Sequence, residues 1–180
     1  MRGLGLASVG KGDAAAHLRP TSDRVRESMF NLLQNGGYGD PVEGARVLDL
    51  FAGTGALGLE ALSRGADHCV FVDSGRVAGR LLADNVQRAR VSEDVRVIAR
   101  DVQRLGPNPD TPATLVFLDP PYGKGLGARG LAAATKGGWI GVDALVVWEE
   151  AGEQDAPTGF TKLDARRYGE TWVTVLRLEA

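Results

Sequence analysis

A chain of 180 residues, 43% apolar and 24% charged, fits one globular domain burying about 70% of its unfolded surface. No uncharged stretch approaches the roughly 20 apolar residues of a membrane span, and a single cysteine, Cys69, excludes an internal disulfide. A net charge of −2 excludes overall attraction to nucleic acid, so any RNA contact must come from a local cluster of cations.

Residues 1–20 are rich in glycine and alanine, lack periodicity, and read as a loose N-terminal arm carrying Arg2, Lys11 and Arg19. The opening MRGLGLASVGK is too short and too polar for a signal peptide, which makes a cytoplasmic protein the expectation. His17 and His68 have no cysteine or carboxylate at ligand spacing, so no metal is expected. Residues 21–180 read as a single domain. It starts with a helix over 22–34, signalled by a hydroxyl cap at Thr21 or Ser22 and by apolar Val25, Met29, Leu32 and Leu33. After the turn-rich NGGYGDPVEG, five apolar runs follow: RVLDLF, HCVFVD, DVRVIARD, ATLVFLD and DALVVWEE. Helical segments alternate with them, including Arg76–Arg90 and Gly127–Lys136. Two more strand patterns flank Tyr168-Gly169 at the end. The alternation predicts an α/β fold with a mostly parallel seven-stranded sheet, one antiparallel strand, and helices on both faces. Cys69 and the three tryptophans are expected in packing roles.

Between the first run and its helix, DLFAGTGALG places Gly53, Gly55 and Gly58 in a G-x-G-x-x-G pattern, which permits a tight turn and close approach of a ligand. Asp73 follows about 20 residues on, where a carboxylate can accept from a ribose diol. By spacing alone the ligand could be NAD or S-adenosyl-L-methionine. Charge separates them. Asp49, just before the loop, would repel a pyrophosphate but suits a ligand with an ammonium group. Asp101, ending the third run, can accept from the exocyclic amine of an adenine. Three carboxylates at successive strand ends favour the methyl donor.

The fourth run ends in Asp119-Pro120-Pro121-Tyr122. Neither proline has an N–H, and each restricts the residue before it to extended geometry. The stiff segment can therefore aim the Asp119 carboxylate and the Pro120 carbonyl as two acceptors for the two hydrogens of a planar amine. As that amine is alkylated it becomes positive and is held more tightly, which is transition-state stabilisation. Tyr122 offers a ring on which a base can stack. Arg24 and Arg26, in a helix's first turn, oppose its dipole by about a few tenths of a kcal/mol, which points to a use on phosphate or on the donor carboxylate, with a solvated face an equal alternative.

On LRPTSDRVRESMFNLL, VLDLFAGTGALGLEALSRGA, VFVD and FLDPPYGKG the chain resembles the class I S-adenosylmethionine-dependent methyltransferases, and most closely the RsmD-type bacterial family. The resemblance implies a Rossmann-like fold and methylation of the exocyclic N2 of a guanine in 16S ribosomal RNA, with S-adenosyl-L-homocysteine as product. It implies that Asp49, Gly53 and Gly55 contact the methionine part of the donor, Asp73 the ribose, and Asp101 and Val102 the adenine. Asp119, Pro120 and Tyr122 would engage the guanine, with Pro121, Arg24 and Arg26 on the substrate side. The partner implied is 16S rRNA in a small ribosomal particle, met by a monomer away from any membrane. Relatives begin with an isoleucine- and glycine-rich segment running into Arg-Gly, so the arm here is expected to be truncated. The alternatives are an adenine-N6 methyltransferase, which could use the same clamp, an NAD-dependent oxidoreductase, and a non-catalytic nucleotide-binding module.

Overall fold

Strands buried on both faces read as unbroken apolar runs, and those runs form the centre of one seven-stranded sheet. The computed structural model describes residues 21–180. The expected arm, with Arg2, Lys11 and Arg19, lies outside the described residues. The elements in order are α1 (Asp23–Asn35), β1 (Arg46–Leu50), α2 (Ala56–Ser63), β2 (His68–Asp73), α3 (Arg76–Ala89) and β3 (Val95–Ala99). A short 3-10 turn (Val102–Arg104) leads to β4 (Ala113–Leu118), α4 (Leu126–Lys136), β5 (Ile140–Glu150), β6 (Phe160–Tyr168) and β7 (Thr171–Leu178).

The strand order is β3-β2-β1-β4-β5-β7-β6. Strands β1 to β5 run parallel, and β7 is antiparallel to both neighbours, β5 and β6. The chain thus walks outward from β1 to β3 and then crosses back to β4. That reversal opens a crevice beyond the carboxyl ends of β1 and β4, where open α/β sheets bind ligands.

Alternation along the strands builds two cores. Val47, Phe71, Phe117 and Val147 face the side covered by α1, α2 and α3. Leu48, Val70, Val116 and Trp148 face the side covered by α4 and the 3-10 turn. Phe30 of α1 meets Phe117 with ring centroids 5.5 Å apart, so the N-terminal helix is packed on the sheet beside the crevice. Each such fully buried ring contributes about 1.5–3 kcal/mol of transfer free energy. Cys69, Trp139 and Trp148 are core residues, and Trp172 is partly exposed on β7.

Two boundaries differ from the expectation. Ser22 stands just outside α1 as its N-cap, its Oγ accepting from the Val25 N–H at 3.2 Å, and the helix runs to Asn35. Strand β5 starts at Ile140 rather than Asp143. Its pairing to β4 jumps from Ala113–Ile140 to Leu115–Leu145, with Asp143 left-handed at φ 64°. The bulge absorbs a stretch whose Gly141 and Asp143 look like a turn. Among the described residues, no helix is long and apolar enough to cross a membrane.

Candidate active site at the carboxyl edge of the sheet

The loop after β1 turns through left-handed backbone at Phe51, Gly53 and Gly55. At Gly55 a Cβ would lie 2.4 Å from Leu82, on α3, so neither the dihedral nor the space admits a side chain. Gly58 has another reason to be bare: its Cβ would fall 2.4 Å from the Phe71 ring and 2.6 Å from Cys69 Sγ, so its absence lets α2 lie against β2. From α3, the buried Asn85 donates to the Thr54 carbonyl at 2.9 Å and holds the loop from behind.

The amides of the three glycines are already occupied. The Gly53 N–H donates to Asp73 Oδ2 at 2.9 Å, the Gly55 N–H to the Ala52 carbonyl at 2.8 Å, and the Gly58 N–H to Asp49 Oδ2 at 2.9 Å. A phosphate cradle needs such amides free and pointing at the ligand. Here two acid side chains take two of them, so the crevice is lined by acids rather than by free amides.

Asp49 stands near the carboxyl end of the first strand. It is a member of β1, only 1% exposed, with its carboxyl pushed up to about 8. Burial is the main cause; the Gly58 N–H pulls the other way, and nearby Asp73 raises it further. A cation arriving beside it would draw the carboxyl back to its ionised form. Asp73 ends β2 and also accepts from the Gly75 N–H at 2.7 Å, so it braces both the glycine loop and the start of α3. Asp101 caps the 3-10 turn, its Oδ1 accepting from the Gln103 N–H at 2.9 Å. The side chain of Val102 is buried in the α4-side core, which leaves its backbone as the part that can face a ligand.

Asp119 follows β4 directly, partly buried beside the crevice. Pro120 is buried and Pro121 exposed. The Tyr122 hydroxyl donates to Glu149 Oε1 at 2.9 Å and lies 3.3 Å from Thr171 Oγ1. Burial pushes this phenol well up, so it stays protonated. The Thr21 hydroxyl sits 2.9 Å from Asp119 Oδ2 and 3.4 Å from Glu149 Oε2. Glu150 Oε1 accepts from the Gly123 N–H at 3.2 Å and from the Ala151 N–H at 3.0 Å. Asp119 is raised well above the ordinary carboxylate range, first by burial and next by the charge of Glu149, with the Thr21 hydroxyl partly opposing the rise.

The sheet edge therefore gathers Asp49, Gly53, Gly55, Asp73, Asp101, Asp119, Pro120 and Tyr122 along one crevice. It separates Arg24 from Arg26, because residues two apart on a helix point to different sides. Arg26 is tied to Asp23 at 2.9 Å and to Glu60 of α2 at 3.7 Å, while Arg24 is exposed. Sequence reading missed Glu149, Glu150 and Thr171. The signal that marks the other strands, an acid at the carboxyl end of a parallel run, applies equally to the two glutamates of VVWEE.

A protein-family model described as Conserved hypothetical protein 95 matches residues 8–177. The chain is 35% identical over 173 residues to the "Putative rRNA methyltransferase YlbH" of Bacillus subtilis, covering 93% of this chain and 91% of that one. It is 36% identical over 141 residues to the ribosomal RNA small subunit methyltransferase D of Escherichia coli, covering 78% of this chain and 68% of that one. A solved structure of the "Putative methyltransferase yhhF" of Escherichia coli superposes with a TM-score of 0.77 at 32% identity, covering 91% of this chain and 89% of that one.

Proposed function

The chain belongs to the family that contains the ribosomal RNA small subunit methyltransferase D proteins, and on that premise we propose that it methylates the exocyclic N2 amine of a guanine in 16S ribosomal RNA. The observation that carries the reading is the placement of Asp119-Pro120-Pro121-Tyr122 at the carboxyl end of β4, in the crevice beside a glycine segment two of whose amides are taken by acid side chains. S-adenosyl-L-methionine, when bound, supplies an electrophilic methyl group. The residues present fit it: Asp49 and the loop of Gly53 and Gly55 for the cationic methionine part, Asp73 for the ribose diol, Asp101 and the Val102 backbone for the adenine. The occupied loop amides and acid lining suit a pyrophosphate poorly, which disfavours an NAD-dependent oxidoreductase.

The rest follows from this chain's own groups. Asp119 and the Pro120 carbonyl accept the two amine hydrogens, favouring a nitrogen whose lone pair is free of the ring. Tyr122 stacks on the base, worth roughly 1–3 kcal/mol. The positive charge that develops on the nitrogen is stabilised by Asp119. The guanine must leave its stack to reach this crevice, as base-modifying enzymes require. On this reading the protein works in the cytoplasm, as a monomer, on RNA within a small ribosomal particle.

Incubation of enzyme and donor with small-subunit particles lacking the modification should yield N2-methylguanosine on nucleoside mass analysis. Methyladenosine instead would move the chain to the adenine-N6 alternative. Tight NAD binding in calorimetry, with no binding of S-adenosyl-L-homocysteine, would sink methyl transfer altogether.

Phosphate contacts belong to cations that are not engaged with acids. Among the described residues Arg24 is one, but Arg26 is neutralised by Asp23 and Glu60. Lys124 and Arg129 follow Tyr122 in the chain. Arg129 is held by Gln103 Oε1 at 2.9 Å and by the Lys124 carbonyl at 3.1 Å, neither of them charged. We therefore expect alanine at Arg24, Lys124 or Arg129 to weaken RNA binding and to make its log–log salt dependence shallower by up to about one unit each. Arg26→Ala should leave that slope unchanged. Filter-binding titrations over a salt series check this, and an equal slope in all four variants would place recognition elsewhere.

A further inference from the structure

Two acids of the crevice are anchored by amides of their own turns. Asp73 Oδ1 accepts from the Gly75 N–H at 2.7 Å and Asp101 Oδ1 from the Gln103 N–H at 2.9 Å, in each case the amide two residues on. Asp119 has no such recourse. The two residues after it are Pro120 and Pro121, and neither carries an N–H. The segment that clears the site of competing donors therefore also deprives its own carboxyl group of a local anchor.

The anchor comes from far away in the chain. Thr21 stands just before α1, and its hydroxyl donates to Asp119 Oδ2 at 2.9 Å. The Asp119 backbone is fixed as well, its N–H donating to the Leu50 carbonyl at 3.4 Å. Among the described residues Asp119 Oδ1 receives no hydrogen bond, so one oxygen is held and the other is left to receive. The Thr21 hydroxyl also lies 3.4 Å from Glu149 Oε2, the longer of its two contacts.

A hydroxyl that donates to a carboxylate favours the ionised form. The other groups around Asp119 work against ionisation. Burial raises its carboxyl most, Glu149 of β5 next, and Asp49 of β1 and Glu150 of β5 raise it further, while the Thr21 hydroxyl lowers it. Tyr122, on the same loop, is a protonated phenol. Thr21 is not the helix cap: that role belongs to Ser22, whose Oγ accepts from the Val25 N–H at 3.2 Å.

We infer that Thr21 is a positioning residue for methyl transfer: its hydroxyl replaces the local amide that the two prolines remove, and holds Asp119 by one oxygen as an ionised acceptor whose other oxygen takes the amine hydrogen. The inference rests on the methyltransferase reading above and deepens it.

Thr21→Val removes the hydroxyl and keeps the branched shape. In single-turnover reactions at saturating donor, the acid limb of its pH–rate profile should move to higher pH by about a unit, because Asp119 then ionises without its hydroxyl donor. On that limb the rate should fall about tenfold, and the gap should narrow as pH rises. Thr21→Ser keeps the donor and should return the limb to its wild-type position. Ser22→Ala removes the helix cap, and should lower the melting temperature without moving the limb. In an Asp119→Asn background, Thr21→Val should cost less than it does alone, because the charge it served is gone.

A second readout needs no RNA. A carboxyl whose affinity for protons is raised on folding stabilises the protein at low pH, and that stabilisation is lost as pH rises from the ordinary carboxylate range through the raised one. Thr21→Val raises Asp119 further and so enlarges this loss. Its melting temperature should fall behind wild type as pH rises, while Thr21→Ser should run parallel to wild type. Superimposable rate and melting profiles for wild type and Thr21→Val overturn the inference. So does a rate loss equal at every pH, which a displaced helix alone would produce. In either case, wild-type transfer to RNA leaves the functional reading standing. A wild type that transfers no methyl, with melting profiles that still diverge, sinks the functional reading and retains the hold of Thr21 on Asp119.

Discussion

Asp119→Ala should lower single-turnover methyl transfer by roughly 10²–10³-fold, the scale seen when one preorganised charge-stabilising contact is removed from an active site. Donor affinity should hardly change, because on the proposed reading the carboxylate serves the amine and not the donor-binding loop. The loss belongs to the transition state: the nitrogen is neutral on arrival and positive as the new bond forms, so Asp119 holds it more tightly at the top of the barrier. Asp119→Asn keeps one acceptor oxygen and the side-chain shape but not the charge, and should recover only a small part of the rate. Removing this buried acid also relieves its repulsion with Glu149, so the variant should be no less stable than wild type at neutral pH. Rapid-quench rates at saturating donor check the first claim and calorimetry with S-adenosyl-L-homocysteine the second. Rates near wild type in both variants would show that the clamp is not what drives the reaction.

Asp73→Ala should do the reverse, striking the donor and sparing chemistry at saturation. In the structure Asp73 receives the Gly53 N–H at 2.9 Å and the Gly75 N–H at 2.7 Å, so it holds the glycine loop and the entry to α3 together. On the proposed reading its remaining lone pairs receive the ribose diol. Removal costs about 1.5–3 kcal/mol for each hydrogen bond to the charged group that is lost without replacement. Affinity for S-adenosyl-L-homocysteine should therefore fall by at least about tenfold, with a drop in melting temperature from the loosened loop. Asp73→Asn can still accept through one oxygen and should lie between alanine and wild type. Calorimetry on the three proteins decides it. Unchanged affinity in Asp73→Ala would move the ribose site away from the end of β2.

Much of this was legible before any coordinates. The central parallel strands were readable because strands buried on both faces are near-continuous apolar runs, as CVFV and LVFL are and as VLDL is but for Asp49, whereas β3 is largely exposed. Gly55 and Gly58 were readable because only glycine tolerates the left-handed turn at one and the contact with Phe71 at the other. Asp119-Pro120-Pro121-Tyr122 announced itself because a segment with two missing donors has few structural uses. These are local requirements, met within a few residues, and local chemistry prints them in the sequence.

Tertiary structure decided what depends on distance between remote segments. Which strand of the terminal hairpin joins the sheet is not a local matter: β7 rather than β6 pairs with β5, and only the folded chain shows it. Arg24 and Arg26 look equivalent in the sequence, yet Asp23 and Glu60 neutralise one of them because helix α2 lies on its side. Asp49 reads as an acid at a strand end, and only the fold shows that it is buried there, its carboxyl taken up by the Gly58 amide nine positions on. The pairing of Asp119 with Glu149 through Thr21 joins acids that lie 98 and 128 positions along the chain from that hydroxyl. No motif spans such intervals. An acid's ionisation depends on its solvent exposure and on which charges stand within a few ångströms, and both are set when β5, β4 and the start of α1 converge on one edge of the sheet.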